Sequence, residues 1–545
     1  MNALIDQLVK QGVELFCLSP GRRSTPLVMA VANHPKAKTF VHFDERGTAF
    51  HALGYGKATG KPAAVIVTSG SALGNLMPAV MEASASQVPM LLLTADRPPE
   101  LLDTMANQTC DQIKIFGSYV THTVHLPTPA SLPENYLAKT LSHAVQRTQF
   151  PYKGPVHINC PFREPFDGGA SFPPGEGTET TYGNPSLSEA DALKWAQILG
   201  EVEKGVIVIG AHNPSTHTQI EELSKTLDWP IFPDPISSFR DCASDQTILH
   251  FPYLLTEEEK PDLLLHFGGP TVSKPLLQWT EGIPRVVHVA GHPKRLDPLH
   301  FVTDRIFADP NLFAEALLPH LKSHPSGYVA EWRKKAEIAE EVLSTLAGEL
   351  TEMGIFWTLK DHLSPDQALF IGNSMPIRDA DTLLFPKAPS SPIFANRGLS
   401  GIDGNIGTCA GIAQTRPVLA IMGDQTLLHD LNSLAQLTKT PHPVKIIVIN
   451  NQGGRIFSFF KPDGKEEVWN EFMHAEHPFT FEKAAQLFSL PYQKITRPEE
   501  LIEKVQGEGS ALIEIPTSPR GNVDHHQKIR QTIQDALCSF SSTVS

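Results

Sequence analysis

The chain contains no apolar run long enough to cross a bilayer, so none of its 545 residues is expected to form a membrane-spanning helix. Its start, Met1-Asn2-Ala3-Leu4-Ile5-Asp6, has no basic stretch followed by an apolar core, so no secretory leader is read there and a cytoplasmic protein is expected. Cysteine is scarce and dispersed. Cys17, Cys110, Cys160, Cys242, Cys409 and Cys538 stand singly, with no Cys-x-x-Cys pair and no zinc-like spacing to histidine. This pattern argues against a disulfide framework and a zinc module, and reads as reduced thiols. Positive charge is short as well. With 45 Lys and Arg against 59 Asp and Glu, a formal net charge of −14, the chain lacks the basic surface that nucleic-acid recognition requires. No short internal repeat or low-complexity tract is present.

What is present is the composition of an ordinary globular protein, 41% hydrophobic and 19% charged. A chain this long exceeds one core and suits about three domains. Apolar strand-like runs that end in Gly or turn residues alternate with helical patterns, the mark of parallel α/β architecture. The predicted strands are 13–18, 40–43, 63–67, 90–93 and 154–161 in a first block and 206–209, 263–267 and 286–289 in a second. A third block holds 368–371, 393–395, 418–422, 446–449 and 511–515. Leu73, Leu76, Met77, Val80 and Met81 follow the spacing of a helix with one buried face, which makes a βαβ unit with its flanking strands. Residues 166–188, rich in Gly, Pro, Ser and Thr, read as a linker, and His324-Pro325-Ser326-Gly327 as a second boundary. The expected fold class is therefore α/β, with three doubly wound parallel-sheet domains at 1–165, 189–325 and 330–545, the first and third being candidates for related folds.

Ligands of open parallel sheets gather beyond the carboxyl ends of the strands, and the polar motifs fall there. Ser19-Pro20-Gly21, Asp44-Glu45, Thr68-Ser69-Gly70 and Thr94-Ala95-Asp96-Arg97 follow successive strands of the first block. Gly372-Asn373-Ser374, Asn396-Arg397-Gly398, Gly423-Asp424 and Asn450-Asn451 do so in the third. Alone, Gly-Asp is a helix start and Asn-Asn-Gln-Gly a turn. Leu427, Leu428, Leu431 and Leu434 mark one amphipathic helix between them, after which the adjacent strand returns both motifs to one spot. Asp424, the Asn451 amide oxygen and the Gly453 carbonyl then form an oxygen set for Mg2+ or Mn2+, the kind of hard cation that bridges a diphosphate to an acidic protein. Glu45 is the candidate carboxylate for the pyrimidine N1′ of thiamine diphosphate. Arg23, Arg97, Arg378 and Arg397 all lie in strand-end loops, and such planar forks converging on one pocket point to a polyanionic substrate.

At this point the motifs resemble a known family, the 2-succinyl-5-enolpyruvyl-6-hydroxy-3-cyclohexene-1-carboxylate synthases, thiamine-diphosphate enzymes of menaquinone biosynthesis. The resemblance is carried across all three blocks by Ser19-Pro20-Gly21-Arg22-Arg23-Ser24-Thr25-Pro26-Leu27, His42-Phe43-Asp44-Glu45-Arg46-Gly47, Thr94-Ala95-Asp96-Arg97-Pro98-Pro99-Glu100-Leu101 and Ala106-Asn107-Gln108-Thr109. Residues 154–165, Asn373-Ser374-Met375-Pro376-Ile377-Arg378-Asp379, Asn396-Arg397-Gly398-Leu399-Ser400-Gly401-Ile402-Asp403-Gly404 and Asn451-Gln452-Gly453-Gly454-Arg455-Ile456-Phe457 complete it. It implies domains of the thiamine-diphosphate-binding type, pyrimidine-binding at 1–165, central at 189–325, and diphosphate- and metal-binding at 330–545. It also implies decarboxylation of 2-oxoglutarate and conjugate addition of the succinyl unit to isochorismate.

Carried over residue by residue, Glu45 activates the cofactor and Ile402 is the apolar wedge beneath it. Ser19, Pro20, Gly21, Ser69, Gly70, Asn75, Gly423, Asp424, Asn451, Gly453 and Gly454 complete the cofactor contacts. Arg23, Arg97, Asn107, Gln108, Lys274, Ser374, Arg378, Arg397, Ile456 and Phe457 would meet the substrates, with Arg23, Arg97, Gln108, Ser374, Arg378 and Arg397 counted with Glu45 as catalytic. The family's architecture sets Glu45 of one subunit against the metal cage of another, implying at least a homodimer, with a homotetramer open as the larger assembly. Two departures stand out: Arg22 replaces a serine, and Pro275 replaces a second basic residue after Lys274. A pyruvate-using acetolactate synthase or an aryl-oxoacid decarboxylase would share Glu45 and the 424–453 pattern but would not need Arg97, Arg378 and Arg397. A non-catalytic scaffold would need none of them. Asp524-His525-His526 reads as a solvated helix start rather than a metal site.

Overall fold

The computed structural model describes residues 1–545 apart from 130–131, 167–171, 212–217, 241–243, 324, 387–390, 461–463 and 545. Cys242, His324 and part of the expected linker, 167–171, thus lie outside the described residues. Three sheets follow in chain order. The first contains β1 (Leu15–Leu18), β2 (Lys38–Val41), β3 (Ala63–Val67), β4 (Met90–Asp96), β5 (His122–His125) and β6 (Pro155–Pro161). The middle sheet has β7 (Gly205–Ile209), β8 (Ile231–Pro233), β9 (Leu263–Phe267), β10 (Arg285–Val289) and β11 (Asp304–Ile306). The third has β12 (Ala368–Ile371), β13 (Ile393–Phe394), β14 (Val418–Gly423), β15 (Val444–Asn450), β16 (Tyr492–Lys494) and β17 (Ala511–Pro516). Neighbouring strands pair in parallel throughout, and the central ones, such as β3, β4 and β6, are buried along their whole length. Strands buried along their whole length belong to sheets covered on both faces by helices.

The first sheet has the order β2-β1-β3-β4-β6-β5 and the third β13-β12-β14-β15-β17-β16, the same order strand for strand. Each reverses direction between its first and third strands, which opens a crevice for a ligand at the carboxyl ends of β1 and β3 and of β12 and β14. The strands missing from the sequence prediction, β5, β8, β11 and β16, are edge strands. Segments such as His122-Thr123-Val124-His125 carry little apolar signal because an edge needs little, whereas β8, Ile231-Phe232-Pro233, is apolar and buried but only three residues long.

The middle and third sheets share one continuous core, in which Phe232, Trp279 and Trp332 pack in the same cluster as Phe356, Ile377 and Ile513. Arg240, fully buried, fastens the two. Its guanidinium donates to the carbonyls of Pro233, Asp381 and Leu384, lies 3.5 Å from the Asp381 carboxylate and stacks 3.6 Å above Phe385. The first and third units meet through the helices Glu45–Thr59 and Asn405–Ile412. Their backbones approach so closely that a Cβ at Gly54 would lie 2.0 Å from the Thr408 carbonyl, and one at Gly411 2.0 Å from that of His51. Among the described residues no helix is long and apolar enough to cross a membrane.

Two helical expectations are corrected. The run from Leu73 to Met81 is not one helix: it breaks into Ser71–Gly74 and Met77–Ala85, because Pro78 lacks an N–H and is accommodated in a fresh first turn. Leu427, Leu428, Leu431 and Leu434 likewise do not share a helix. Asp424–His429 ends before Asp430, and a 3-10 segment, Leu431–Gln436, follows. The Asp430 carboxylate leaves the helical path to accept the Ile406 and Gly407 N–H groups, capping the helix Asn405–Ile412.

Candidate active site

A cavity opens at the β12/β14 switch point, and Asp424, Asn451, Gly453, Ile402, Ser374 and Glu352 line it. Strand and turn chemistry place them. Asp424 follows β14 directly and is 1% exposed, its carboxylate accepting the Gln425 N–H at 2.6 Å and the Gly453 N–H at 3.0 Å. Gly453 has φ +139°, and a Cβ there would lie 2.7 Å from the His474 carbonyl, so only glycine suits this turn. Asn451 donates its amide N–H to the Glu352 carboxylate at 2.9 Å. Its amide oxygen is the acceptor this bond leaves over. A carboxylate, an amide oxygen and a backbone carbonyl make an all-oxygen donor set, which fits a hard cation such as Mg2+ or Mn2+ and not a softer metal. Burial raises the Asp424 carboxyl, opposed by the Gly453 N–H and by His477, whose Nε2 is 3.4 Å away.

The helix Met375–Leu383 starts at the cavity, and its first turn offers free N–H groups of the kind that bind phosphate. Its N-cap, Ser374, holds φ +73°, a conformation rare outside glycine. Gln108, Ser400 and Gln452 also hold positive φ. Such strain concentrates where a fold must fix a functional group. Gly423, Gly454 and Ile456 join the cavity wall, and the Phe457 ring packs on Gly454.

Arg378 donates to the carbonyl of the cavity residue Ser374 at 2.5 Å, and Arg397 to the amide oxygen of the adjacent Asn373 at 2.8 Å. Burial lowers both guanidinium pKa values, and the Arg397 charge lowers Arg378 further. Lys274, exposed at the start of the helix Lys274–Trp279, rests 5.7 Å from the Phe460 ring.

A second cluster sits at the β1/β3 switch point. Arg97 is 7% exposed and donates to the Ser69 hydroxyl, Gln108 donates to the Ser69 carbonyl at 3.4 Å, and Gly70 takes φ +80°. Arg23 donates to the Phe162 carbonyl at 2.8 Å, and burial and the nearby Arg97 charge lower its pKa. Ser19 is buried and bonded to Thr48 at 2.8 Å, and Gly21 fits where a Cβ would strike Thr68 at 2.3 Å, while Pro20 and Asn107 are exposed. Arg22 turns outward, 3.8 Å from Glu164, and does not crowd the cluster.

Glu45 begins the helix Glu45–Thr59, just after Asp44, whose side chain caps it by accepting the Arg46 N–H. Its carboxylate accepts from Asn75 at 3.2 Å, with the exposed Phe43 and Val41 beside it. Among the described residues the β12/β14 cavity is walled by the third unit alone. A single chain thus brings Ser374, Ile402, Asp424, Asn451 and Gly453 together, groups Arg23, Arg97, Ser69 and Gln108 separately, and leaves Glu45 in neither wall.

Sequence reading missed several groups. Glu352, 3% exposed, borders the cavity, and burial and the Asp379 charge push its carboxyl up to about 7. Asp379 is wholly buried with His526 Nε2 at 3.0 Å, so the start of helix Asn522–Val544 packs on a buried acid, contrary to the expected solvated start. Glu82 reaches from the first unit to the loop bearing Arg397. Glu352 and Glu82 share one available signal. Each is the only charge in an apolar helix, Glu-Met-Gly-Ile-Phe-Trp-Thr-Leu at 352–359 and Met-Pro-Ala-Val-Met-Glu-Ala-Ser-Ala at 77–85.

Comparison with known proteins gives three matches along the chain. The N-terminal TPP binding domain of thiamine pyrophosphate enzymes matches residues 1–115, the middle domain of thiamine pyrophosphate enzymes 181–371, and the C-terminal TPP binding domain 383–515. Among curated relatives, the 2-succinyl-5-enolpyruvyl-6-hydroxy-3-cyclohexene-1-carboxylate synthase of Rubrobacter xylanophilus is 40% identical, covering 96% of each chain. Those of Salinibacter ruber and Chlorobium phaeobacteroides are 38% and 36% identical over 98% of this chain, and 96% and 97% of their own.

Proposed function

We propose, from the fact that this chain belongs to the thiamine-diphosphate enzymes and among them to the 2-succinyl-5-enolpyruvyl-6-hydroxy-3-cyclohexene-1-carboxylate synthases, that it decarboxylates 2-oxoglutarate and adds the succinyl unit to isochorismate. It is a thiamine-diphosphate-dependent transferase that forms a C–C bond. The observation that carries the reading is the β12/β14 cavity, where an oxygen cage meets a helix N-terminus, with the exposed Arg378 bonded to Ser374 in its wall and the half-buried Arg397 bonded to the adjacent Asn373. A diphosphate with its cation suits the first two, and a carboxylate substrate the arginines.

In this reading Asp424, Asn451 and the Gly453 carbonyl hold Mg2+ or Mn2+, with Gly423 and Gly454 giving the diphosphate room. When bound, thiamine diphosphate supplies the nucleophilic carbon and the electron sink for loss of CO2. Ile402 would give the cofactor an apolar support. Glu45 exchanges a proton with the pyrimidine N1′, and Asn75, Ser19, Pro20, Gly21, Ser69 and Gly70 shape its surroundings. Arg378, Arg397, Lys274 and Ser374 on one wall, and Arg23, Arg97, Asn107 and Gln108 on the other, bind the substrate carboxylates and hydroxyl. Ile456 and Phe457 shield the reacting carbons from water.

Within one chain Glu45 lies outside the wall that carries the oxygen cage, so the working unit is at least a homodimer, with Glu45 of one copy closing the cavity of the other. The exposed Phe43 and Val41 flanking Glu45 support this. The functional divisions are taken as 1–165, 189–325 and 330–545, and the enzyme as cytoplasmic.

Product analysis tests the reading: protein, thiamine diphosphate, Mg2+, 2-oxoglutarate and isochorismate are mixed, and the expected product is sought by mass spectrometry. Turnover of pyruvate with no consumption of isochorismate would overturn it.

A further inference from the structure

The loop between β13 and the helix Asn405–Ile412 carries both Arg397 and Ile402, and the side-chain anchors on the backbone around Arg397 differ from those around Ile402. Residues 401–407 are held within the third unit. The Gly401 carbonyl accepts from Asn373 at 2.6 Å, Asn405 donates to the Asp403 carbonyl at 3.0 Å, and Asp430 accepts the Ile406 N–H at 2.8 Å. Residues 395–399 are braced by the first unit as well, although Asn396 itself is held in the third, its carbonyl accepting from Asn373 at 2.8 Å and its amide donating to Thr408 at 2.9 Å. Glu82, 3% exposed on the helix Met77–Ala85, accepts the Gly398 N–H at 3.0 Å on one carboxylate oxygen and the Leu399 N–H at 2.8 Å on the other. Lys57, from the helix Glu45–Thr59, donates to the Ala395 carbonyl at 2.9 Å and lies 3.4 Å from Glu82. Ser86 donates to the same carboxylate at 2.6 Å. The backbone on both sides of Asn396-Arg397 is therefore gripped by one buried ion pair.

We propose that Glu82, aided by Lys57, is a positioning residue for Arg397, holding the substrate-facing half of this loop through its backbone while the cofactor-facing half is fixed elsewhere. The proposal rests on the reading of Arg397 as a ligand for a substrate carboxylate. Stability alone gives a poor reason for the pair, because burying a carboxylate and an ammonium costs much of what their attraction returns, and an apolar pair would pack there as well. A carboxylate does something an apolar side chain cannot: it accepts two successive backbone N–H groups and fixes their direction. The loop also lies flat on the helix. A Cβ at Gly398 would sit 2.7 Å from the Ser86 hydroxyl oxygen, 2.8 Å from the Ala85 Cβ and 2.9 Å from the Glu82 carbonyl, so only glycine permits the contact. Arg397 then donates to the amide oxygen of Asn373, the residue before the cavity-lining Ser374.

The test uses full-length protein with thiamine diphosphate and Mg2+, comparing Glu82→Gln with the parent. Hydrogen exchange should show the amides of Gly398 and Leu399 exchanging roughly ten- to a hundredfold faster in the variant, as expected for loss of charge-assisted bonds. The KM of at least one anionic substrate should rise about tenfold, with the Mg2+-dependent affinity for thiamine diphosphate unchanged, because residues 401–407 keep their own anchors. A merely structural glutamate would not split substrate KM from cofactor affinity. Gly398→Ala, which lifts the loop from the helix with Glu82 intact, should raise the same KM, and serves if Glu82→Gln does not fold. Parent-like exchange at 398 and 399, or an unchanged KM in both variants, overturns the proposal. Arg397→Gln separates the two levels: if it leaves every KM unchanged while Glu82→Gln still speeds exchange, the reading of Arg397 fails and the anchoring stands.

Discussion

Replacing Glu352 with Gln should stabilise the metal-free protein at neutral pH, and the gain should appear over a defined pH window. Glu352 is buried beside the Asp379 and Asp424 carboxylates, and burial, then the Asp379 charge, carry its pKa from 4.5 to about 7. The folded protein thus keeps a proton that the unfolded chain releases, so this group's contribution to stability falls as pH rises from about 4.5 to about 7 and is constant above. At roughly 1.4 kcal/mol per pH unit, the loss at pH 7.5 comes to about 3 kcal/mol. Glutamine does not titrate, and its carbonyl still accepts the Asn451 amide N–H that Glu352 receives at 2.9 Å. Burial raises Asp381 and Asp234 and lowers His250 and His266, but these groups are common to both proteins and drop out of the difference. The assay is urea unfolding of metal-free protein at pH 4.5, 5.5, 6.5 and 7.5, followed by tryptophan fluorescence. Trp357 lies on the same helix as Glu352 and reports on that element. The variant's advantage should be near zero at the lowest pH and about 3 kcal/mol at the highest. Parallel curves for the two proteins across this range would refute the argument, as would a variant less stable at pH 7.5.

Three further outcomes are expected. Glu45→Gln should lower the rate of carboligation by about a hundredfold or more, the range lost with a proton-transfer group, while leaving Mg2+-dependent cofactor binding intact in a calorimetric titration. Asp424→Asn should weaken Mn2+ binding, followed by electron paramagnetic resonance in the presence of thiamine diphosphate, by at least about tenfold. Arg240→Met should cost about 3 to 5 kcal/mol because it strands the buried Asp381 carboxylate, and Arg240→Met with Asp381→Leu should recover most of that loss in a double-mutant cycle read by urea unfolding.

The sequence revealed most where local physics and function coincide. Central parallel strands are apolar along their length, so β3, β9 and β12 were readable to the residue as 63–67, 263–267 and 368–371. Edge strands such as β5 escaped because half-exposed backbone needs no such run, and β11, Asp304-Arg305-Ile306, looks like a loop. Helix continuity was misjudged where a side chain took a long-range partner. The spacing of Leu427, Leu428, Leu431 and Leu434 is helical, yet Asp430 breaks the helix to cap another one, and only the fold supplies that partner. The site residues drawn from strand ends, Asp424, Asn451 and Ser374, required only the rule about switch points. Glu352, Glu82 and the Asp379–His526 pair needed contacts separated by 99, 316 and 147 residues, beyond any periodicity.

On the proposed reading, the matching strand orders of the first and third sheets account for two half-sites in one chain. Each sheet offers a crevice at its switch point, after β1 and β3 in one and after β12 and β14 in the other. The chemistry placed in each differs. The third sheet's crevice carries oxygen ligands and a helix N-terminus, suited to the anionic end of a cofactor. Around the first sheet's switch point stand Arg97 and Arg23, and Glu45 opens the helix after β2, placed for the heterocyclic end and for substrate carboxylates. Within a chain the two units are already joined through the close contact of the helices Glu45–Thr59 and Asn405–Ile412, which pins the Glu45 turn by the Arg46 bond to the His429 carbonyl. That contact leaves Glu45 unable to swing toward its own chain's Asp424 without breaking a glycine-tight interface. In the proposed dimer Glu45 of a second copy closes the cavity instead, and the first unit braces its own chain's Arg397 loop through Glu82.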